Sequence, residues 1–425
     1  MSAIKDIIFA NTHNYKGEVD ERFQDLATQF SRLQDRRSEY GGAALVVYFR
    51  GQKVIDIYTG KKSASEDWQS DTLAVSYSTG KGILSTLAHI LVSQGYLDYD
   101  QLIAEYWPEF AKNGKEEMTL RHVLSHQSGL FDIRNLILTA SEMSDWQHML
   151  TVMENATPRF VVGEDNAYQA LTFGWLVGGI LEKATKQSLK SLMQKYLVDA
   201  LDLDGAYFGV EADQLNRVAK PISLTQVKSI QQQKNDNHNS SKAAKKPPKP
   251  SLSNKLIQYS GQDPQDFVDA MIPKAMRNFS FFDDAVIQSC IPAANGAFTA
   301  RSLAKIYAML ANYGRWNNKA LIQVDVFKKL SQIQNYKRDR VMPIPMHWRL
   351  GYHRVITLGK RVPYGFGHIG YNGSGAWCDH QRELSFAYTH NFAAGSITGD
   401  YRLWGLTQET LRCADKIIKG KKGWF

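Results

Sequence analysis

The chain has 425 residues, of which 43% are hydrophobic, and it carries a formal net charge of +9. That length supports a large core in two or more lobes, and no apolar run approaches the about 20 residues that a membrane-spanning helix needs. The first residues hold only a short apolar patch without a small-residue cleavage pattern, which predicts no signal peptide and a cytoplasmic location.

The first predicted element is a β-hairpin over residues 44–60, where the pattern alternates and turns at Gly51. A helix follows from about Ser78, because apolar residues recur at helical spacing from Leu84 onward. Residues 91–291 then read as mostly helical. The elements that would carry a sheet therefore lie outside this long middle region.

Further strands are predicted near the end of the chain. Residues 365–391 predict two strands joined by a turn, and residues 403–420 predict an amphipathic helix. Strands near both ends predict one sheet built from both termini, with a helical lobe inserted between its halves. We place the sheet domain at residues 1–90 and 292–425, and the helical domain at the residues between them.

Much of the positive charge lies in residues 227–255, which are rich in lysine, contain prolines and hold few apolar side chains. This composition predicts a disordered insertion. One interpretation makes it a tether for nucleic acid or an anionic membrane, and the other makes it a solvated loop. Lysine runs without interleaved aromatic residues favour the loop, so we expect no nucleic-acid partner.

A Gly-Lys pair and a Ser three residues before a Lys occur together in AVSYSTGKGILS, which begins at Ala74. A phosphate-binding loop needs a Gly at position 75 and a Ser or Thr directly after Lys81, but Val75 and Gly82 stand there. On a helix, Ser78 and Lys81 are neighbours. A partly desolvated lysine can lose its proton and activate the serine hydroxyl, and the helix N-terminus offers N–H groups to an oxyanion.

The alternative at this position is structural, with Ser78 capping the helix and Lys81 solvated. A Ser-x-x-Lys match is weak evidence on its own. The chain holds a second match from Ser302 to Lys305, which we interpret as the capped start of a surface helix. Other parts of the chain must therefore decide between a nucleophile and a cap.

Two patterns raise the question of a metal. His122 and His126 are four residues apart, but a zinc protease motif needs Glu at position 123, which is Val123. The three cysteines (Cys290, Cys378 and Cys413) are few and widely spaced. They predict neither a zinc site nor a disulfide framework and suit a reducing compartment. We expect no metal.

Five motifs occur in order along the chain: STGK at 78–81, LRHVLSHQSGL at 120–130, YQALTFGWLVGGILEKATKQSL at 168–189, NGAFTARSLAKIYAML at 295–310 and FGHIGYNGSGAW at 366–377. Together they resemble the serine β-lactamase and D-alanyl-D-alanine peptidase superfamily, and most of all the carboxylesterases of bacterial lipase family VIII. The resemblance covers about residues 23–417. It implies an α/β (α+β) fold, with an antiparallel sheet flanked by helices and an inserted all-helical lobe.

By position, the resemblance implies that Ser78 is the nucleophile, Lys81 the adjacent amine and Tyr168 the tyrosine of the second motif. The chemistry of these side chains agrees, because a tyrosine becomes a useful base only where cations stabilise its phenolate. The proton from Ser78 can then go to Lys81 or to Tyr168. Strongly coupled groups titrate as a unit, so both assignments stay open.

His368 and Gly370 fall where the lactamases have Lys-Thr-Gly on a strand that edges the site. Glycines are dense in this segment, which often marks the close approach of a ligand or of another backbone. The backbone N–H of Tyr371 is the expected second oxyanion donor, paired with that of Ser78. Phe366 and Trp377 lie nearby in sequence, and with Tyr371 they are expected to line an apolar substrate pocket.

Two positions depart from the lactamase pattern. The second motif there is Tyr-x-Asn, whereas here it is Tyr168-Gln169-Ala170, which lacks the amide that binds the acylamide of a lactam. The third-motif lysine is His368, which is mostly uncharged at neutral pH. Both changes remove recognition of lactams and peptide carboxylates and leave acyl transfer intact.

The sequence thus predicts a serine hydrolase that cleaves carboxylic esters, with short acyl chains, through an acyl-enzyme and without a cofactor. The G-x-S-x-G elbow of ordinary lipases is absent. The alternatives are a β-lactamase or D,D-peptidase, a transacylase, and a non-catalytic binding protein of the same fold. The expected partner is a small-molecule ester.

Overall fold

The structure is a computed structural model that describes residues 14–34, 41–222, 262–392 and 400–420. The predicted insertion at 227–255 lies outside the described residues. Strands lie near both ends of the described chain, and helices dominate between them. No helix within these four ranges is long and apolar enough to cross a membrane.

The strands of the described chain form one large sheet and two small ones. In chain order they are β1 (Lys16–Val19), β2 (Gly42–Phe49), β3 (Gln52–Gly60), β4 (Leu73–Val75), β5 (Ala206–Tyr207), β6 (Val218–Ala219), β7 (Ala297–Phe298), β8 (Arg315–Trp316), β9 (Lys319–Ala320), β10 (His353–Arg354), β11 (Gly365–Ile369), β12 (Gly375–Asp379) and β13 (Leu384–His390). The large sheet has the order β1-β3-β2-β13-β12-β11-β10, and its neighbours pair antiparallel. The pairing of β2 with β13 joins strands from the two ends of the chain, as predicted.

The α-helices fall mainly in the middle and at the end of the chain. In chain order they are α1 (Gln24–Gln34), α2 (Thr79–Ser93), α3 (Ile103–Tyr106), α4 (Leu120–Leu124), α5 (Ile133–Leu136), α6 (Trp146–Asn155), α7 (Thr172–Thr185), α8 (Leu189–Met193), α9 (Asp199–Leu201), α10 (Pro264–Met271), α11 (Asp284–Gln288), α12 (Ala300–Ala311), α13 (Val324–Ser331) and α14 (Tyr401–Gly420). The last confirms the helix predicted at 403–420.

The predicted hairpin is formed by β2 and β3. Arg50 and Gly51 connect them with φ of 53° and 74°, a left-handed backbone that suits the tight turn of a hairpin. All eight residues of β2 are buried. They are buried because both faces of the large sheet are covered, so each alternate set of side chains meets a core.

Two hydrophobic cores flank the large sheet. On one face, Leu45 and Val47 pack with side chains of α1 and α14. On the other face, Val46 belongs to a core that also includes side chains of α2, α7 and α12. The second core continues into the helical middle of the chain, so α2 lies between the sheet and the helices.

The end of the chain contains one more strand than the sequence predicts. Residues 365–391 form β11, β12 and β13, and the predicted turn joins only the last two. The break between β11 and β12 includes Asn372 and Gly373, whose φ angles are 72° and 108°. The sequence predicted one strand across this break, because the glycines around it hide the point where the alternation stops.

The helix after the second Ser-x-x-Lys match is not on the surface. Ser302 is 1% exposed, and its hydroxyl donates to Asp204 at 2.9 Å while α12 packs on the sheet. Thr299, not Ser302, caps the helix by accepting the Ser302 N–H. The predicted capped helix start is therefore confirmed, whereas the prediction that this helix lies on the surface is wrong, because α12 buries the face that carries Ser302.

A small sheet fixes the position of the chain just before α2. It has the order β5-β7-β4-β6, so β4 pairs with β6 and β7, and two of its strands, β5 and β6, come from the middle of the chain. The middle region is therefore mostly, but not entirely, helical. Since β4 ends at Val75, the chain leaves this sheet only three residues before Ser78.

Candidate active site

Ser78 stands at the N-cap position of α2 but does not cap the helix with its side chain. The preceding residue, Tyr77, has a φ of 47°, an uncommon backbone conformation for a bulky residue. The Ser78 Oγ atom lies 2.8 Å from the Nζ atom of Lys81. The structural alternative of a capping serine beside a solvated lysine is thus not what the fold contains.

Lys81 is fully buried in the first turn of α2. Besides Ser78 Oγ, its Nζ atom lies 2.6 Å from the carbonyl oxygen of Ala170 and 3.0 Å from that of Ala293. Burial lowers the pKa of Lys81 well below its ordinary value. A neutral amine has two hydrogens for the two carbonyls and one lone pair, which is then available to the Ser78 hydroxyl.

Tyr168 lies beside this pair. The Lys81 Nζ atom is 5.0 Å from the centre of the Tyr168 ring. Burial raises the pKa of Tyr168, and a hydrogen bond with Ser78 acts in the opposite direction. The structure therefore brings together Ser78, Lys81 and Tyr168, and it makes the phenol a proton donor rather than a phenolate at neutral pH.

Asp339 and Trp348 hold Tyr168 in place, and neither residue was predicted from the sequence. The Asp339 carboxylate is buried and accepts the Tyr168 backbone N–H at 3.2 Å and the Trp348 Nε1–H at 2.8 Å. The Trp348 ring stacks on the Tyr168 ring at 5.4 Å with an interplanar angle of 9°. No motif spacing signals these residues, because Asp339 acts mainly through backbone N–H groups.

His126 is part of the same aromatic cluster. Its ring lies 5.1 Å from that of Tyr168 and 4.1 Å from that of Trp348, and its Nδ1 accepts the Gln169 N–H at 3.2 Å. The Nδ1 of His122, in contrast, accepts the Thr119 N–H at the start of α4. No group of three or more His, Cys, Asp or Glu residues within the described ranges is arranged to hold a metal ion.

The third motif lies on β11, against the start of α2. A Cβ added to Gly370 would lie 2.1 Å from the Ser76 carbonyl oxygen, so only glycine lets the two backbones approach this closely. The Thr79 hydroxyl donates to the Ser374 carbonyl at 3.2 Å. The rings of Tyr77 and Tyr371 meet edge to face at 5.6 Å. These contacts tie the segments that carry the two predicted oxyanion donors.

A narrow cleft opens at Ser78, with about 430 Å³ of empty volume including the part open to solvent. The side chains around it are largely apolar. They are Ser78, Tyr168, Met271, Met342, Met346, His353, Ile356, His368, Ile369 and Tyr371. Four of these residues, Ser78, Tyr168, His368 and Tyr371, are predicted site residues, whereas the three methionines come from segments outside the recognised motifs and were not predicted.

Phe366 and Trp377 lie away from this cleft, which corrects the prediction that they contact substrate. Phe366 is fully buried, and its ring is 5.0 Å from that of Tyr352 in the core between sheet and helices. Trp377 points to the opposite face, where it stacks on Phe386 and donates to Thr407. Strand alternation sends both side chains into the cores.

Ala170 contacts Lys81 through its backbone, whereas the sequence suggested a side-chain position that faces the substrate. Its position matters to substrate recognition in the lactamases because an asparagine amide stands there. In this chain the residue is 4% exposed, and its carbonyl oxygen accepts from Lys81. The backbone carbonyl of Ala170 thus helps to orient the Lys81 amine.

Comparisons with known proteins agree with this geometry. A family model described as Beta-lactamase matches residues 23–407. The esterase/beta-lactamase LipL of Mycobacterium tuberculosis (strain ATCC 25618 / H37Rv) is 32% identical over 379 residues, which cover 88% of this chain and 82% of that protein. A family VIII carboxylesterase of known crystal structure has a TM-score of 0.79 at 26% identity, covering 94% of this chain and 99% of the other.

A penicillin-binding protein homolog from Caulobacter crescentus has a TM-score of 0.77 at 24% identity, covering 94% of this chain and 99% of the other, and it shows the fold alone. The matched span of the family model includes Ser78, Lys81 and Tyr168. The predicted fold class and the predicted resemblance are confirmed. The chain belongs to the Beta-lactamase family, as an esterase/β-lactamase-like hydrolase of that fold.

Proposed function

We propose that the protein hydrolyses carboxylic esters of short acids through an acyl-enzyme on Ser78. The observation that carries this proposal is the buried amine of Lys81, 2.8 Å from the Ser78 hydroxyl and without a carboxylate among its hydrogen-bond partners in the described chain. The names of two relatives support the choice of ester, since one is an esterase/beta-lactamase and the other a carboxylesterase.

In the first half of the reaction, Ser78 Oγ attacks the ester carbonyl carbon and its proton passes to the Lys81 amine. The N–H groups of Ser78 and Tyr371 stabilise the oxyanion that develops. When the bond from carbon to the alcohol oxygen breaks, the leaving alkoxide takes a proton from the Lys81–Tyr168 pair. The second half adds water to the acyl-enzyme and releases the acid.

The pKa directions favour Lys81 as the group that accepts the first proton. Burial lowers the pKa of the lysine and raises that of the tyrosine, so each group is driven toward its neutral form. A neutral amine can accept a proton, whereas a neutral phenol can donate one. Tyr168 is then suited to pass a proton to the leaving alcohol.

The same site favours esters over lactams. Burial and the neighbouring His353 and Lys81 lower the pKa of His368 well below its ordinary value, so the ring offers no positive charge to a substrate carboxylate. Ala170 has no amide to offer to an acylamide. A lost charged hydrogen bond costs about 1.5–3 kcal/mol and a neutral one about 1 kcal/mol. A short ester carries neither group and loses nothing.

The narrow cleft supports short acyl chains. Its empty volume of about 430 Å³ includes the part that is open to solvent, so the enclosed part is smaller still. Three of its side chains are methionines, whose flexible thioethers adapt to small apolar groups. We therefore expect turnover to fall as the acyl chain of the ester lengthens.

Replacing Ser78 with alanine tests the nucleophile directly. We expect Ser78→Ala to abolish turnover of p-nitrophenyl esters and labelling by a serine-reactive phosphonate, while the melting temperature stays near that of the wild type. Ser302→Ala, in the second Ser-x-x-Lys match, is the control and should keep its turnover. Hydrolysis by a pure Ser78→Ala protein would end the acyl-enzyme proposal.

A substrate panel separates the esterase from a lactamase. Wild-type kcat/KM is measured for p-nitrophenyl esters of increasing chain length and for a chromogenic cephalosporin. We expect the best short ester to exceed the cephalosporin by about two orders of magnitude, the factor that two lost hydrogen bonds produce. Equal efficiency on both would favour the lactamase alternative.

A further inference from the structure

His368 carries a ring nitrogen that lacks a partner inside the protein. The residue lines the cleft, and its Nε2 atom is buried without a hydrogen-bond partner among the described residues. Its Nδ1 atom lies 3.1 Å from the carbonyl oxygen of Ile369. Because a carbonyl oxygen only accepts, Nδ1 carries the hydrogen and the neutral ring presents a lone pair at Nε2.

The neighbouring histidine cannot use this lone pair. The rings of His353 and His368 are 4.8 Å apart at their centres. However, His353 Nε2 accepts the Ile369 N–H at 3.0 Å, and its Nδ1 lies 2.7 Å from the Arg354 carbonyl oxygen. Both nitrogens of His353 are therefore occupied. Buried polar atoms in proteins nearly always have a hydrogen-bond partner. The unpartnered Nε2 atom of His368 therefore implies that a molecule entering the cleft donates a hydrogen bond to it.

The His368 side chain lines the same cleft as Ser78 and Tyr168. The His368 ring lies over the Tyr168 ring at 6.2 Å with an interplanar angle of 30°. A Cβ added to Gly82, in the first turn of α2, would lie 3.3 Å from the His368 Cβ. A water in such a place needs two or more polar partners. The side chains of His368 and Tyr168 both line the cleft beside Ser78, and each can supply one such partner.

We propose that His368 Nε2 holds the water that hydrolyses the acyl-enzyme, a role that rests on the proposed function. One hydrogen of the water stays bonded to oxygen and is donated to Nε2, which turns the oxygen toward the acyl carbon. The other proton passes to the Lys81–Tyr168 pair as the new C–O bond forms. That pair returns the proton to Ser78 Oγ when the bond between the acyl carbon and Oγ breaks, which releases the free acid.

The surroundings of His368 suit an acceptor rather than a base. Burial first, and then His353 and Lys81, lower its pKa well below the ordinary value. The ring therefore remains neutral, and its lone pair remains available, over the neutral pH range. A ring that is hard to protonate orients water without retaining the proton.

Two variants of His368 distinguish the contribution of Nδ1 from that of Nε2. An asparagine reaches the position of Nδ1 and leaves nothing at Nε2, whereas a glutamine is long enough to place an acceptor near Nε2. His380→Asn is the matched control, because His380 also has a buried ring nitrogen without a partner but packs against Tyr313, Phe327 and Tyr364. All three variants are assayed with the best p-nitrophenyl ester.

The deacylation rate constant is measured directly, from the loss of the acyl mass on quenched enzyme after substrate is exhausted. We expect His368→Asn to slow this step about tenfold or more, the worth of one hydrogen bond to a reacting group, while kcat/KM for acylation stays the same. His368→Gln should recover part of the loss, and His380→Asn should match the wild type.

Other outcomes overturn the assignment. If kcat/KM falls with kcat and no acyl-enzyme accumulates, His368 acts in the first half of the reaction, on the ester or the leaving alcohol. An unchanged deacylation rate in His368→Asn also contradicts the proposal. A wild-type protein that turns over no ester would instead contradict the proposed function, so the two failures are distinguishable.

Discussion

At the scale of single residues, the proposed chemistry depends on the burial of the Lys81 amine away from water. Lys81 has three oxygen neighbours, but none is a carboxylate, so nothing in the described chain compensates a positive charge there. A lysine paired with a carboxylate would keep its proton and could not accept another. The two carbonyl oxygens orient the amine without raising its pKa as an anion would.

Replacing the Lys81 amine should remove the proposed base while a side chain of similar volume still fills the site. We expect Lys81→Met to lower kcat/KM for the best ester by about 10²–10⁴-fold, the usual contribution of a positioned base. Methionine fills a similar volume, although two carbonyls lose their donor. Lys305→Met is the control, since Lys305 belongs to the second Ser-x-x-Lys match and donates to the Asp202 carbonyl.

The pH profile of kcat/KM checks the same point. Burial lowers the pKa of Lys81 well below its ordinary value. The amine accepts a proton only when it is deprotonated, so activity should be lost as pH falls through this lowered pKa and should be level above it. A profile that still rises up to the ordinary pKa of lysine, about 10.4, would show that Lys81 is charged in the free enzyme.

At the scale of elements, the approach of β11 to α2 sets the position of the two backbone N–H groups that we propose as oxyanion donors. We predict that Gly370→Ala, whose Cβ would lie 2.1 Å from the Ser76 carbonyl, pushes the strand end and the Tyr371 N–H away. Loss of one oxyanion donor typically costs about 10²–10³-fold in kcat. The measurement is kcat for the best ester.

A second glycine in the same segment provides the control. At Gly375 an added Cβ would lie 3.4 Å from the Leu403 side chain, which is ordinary contact, so Gly375→Ala should keep most activity. Equal kcat values for Gly370→Ala and Gly375→Ala would mean that close packing at Gly370 does not position the donor. Melting temperatures of both variants separate this effect from unfolding.

Periodic elements were predictable from the sequence, and contacts between distant segments were not. The β2–β3 hairpin and the last helix follow from local patterns, as does the pairing of Ser78 with Lys81. The break that separates β11 from β12 was missed, because glycines interrupt the alternation there and the two strands read as one. Asp339 was missed because it holds Tyr168 through a backbone N–H group across 171 residues of chain. Such contacts depend on the tertiary fold and leave no local pattern.

At the scale of the whole molecule, the large sheet separates two hydrophobic cores, and only one of them lies beside the candidate site. The core that includes α2 lies beside Ser78 and Lys81, whereas the core beneath α1 and α14 lies on the opposite face. A change in the second core should therefore alter stability without altering the chemistry. This separation also means that stability and activity can be measured as independent properties.

We predict that Leu406→Ala, in the core beneath α14, lowers the free energy of unfolding by about 2–5 kcal/mol. The values of kcat and KM at 20 °C should stay near those of the wild type, because the cavity left by the leucine lies across the sheet from the cleft. Chemical denaturation and steady-state kinetics on the same preparation provide the measurement. A large change in KM would show that the two faces are coupled.

The carbonyl partners of Lys81 lie 89 and 212 residues away along the chain. In the mechanism that we propose, Ser78 is activated only when these distant segments have closed around the amine, since a lysine in water keeps its proton at neutral pH. A nascent or partly folded chain therefore carries the catalytic side chains in an inert form. Reactivity appears late in folding, together with the completed tertiary structure, so recovery of ester hydrolysis during refolding should lag behind recovery of helical signal.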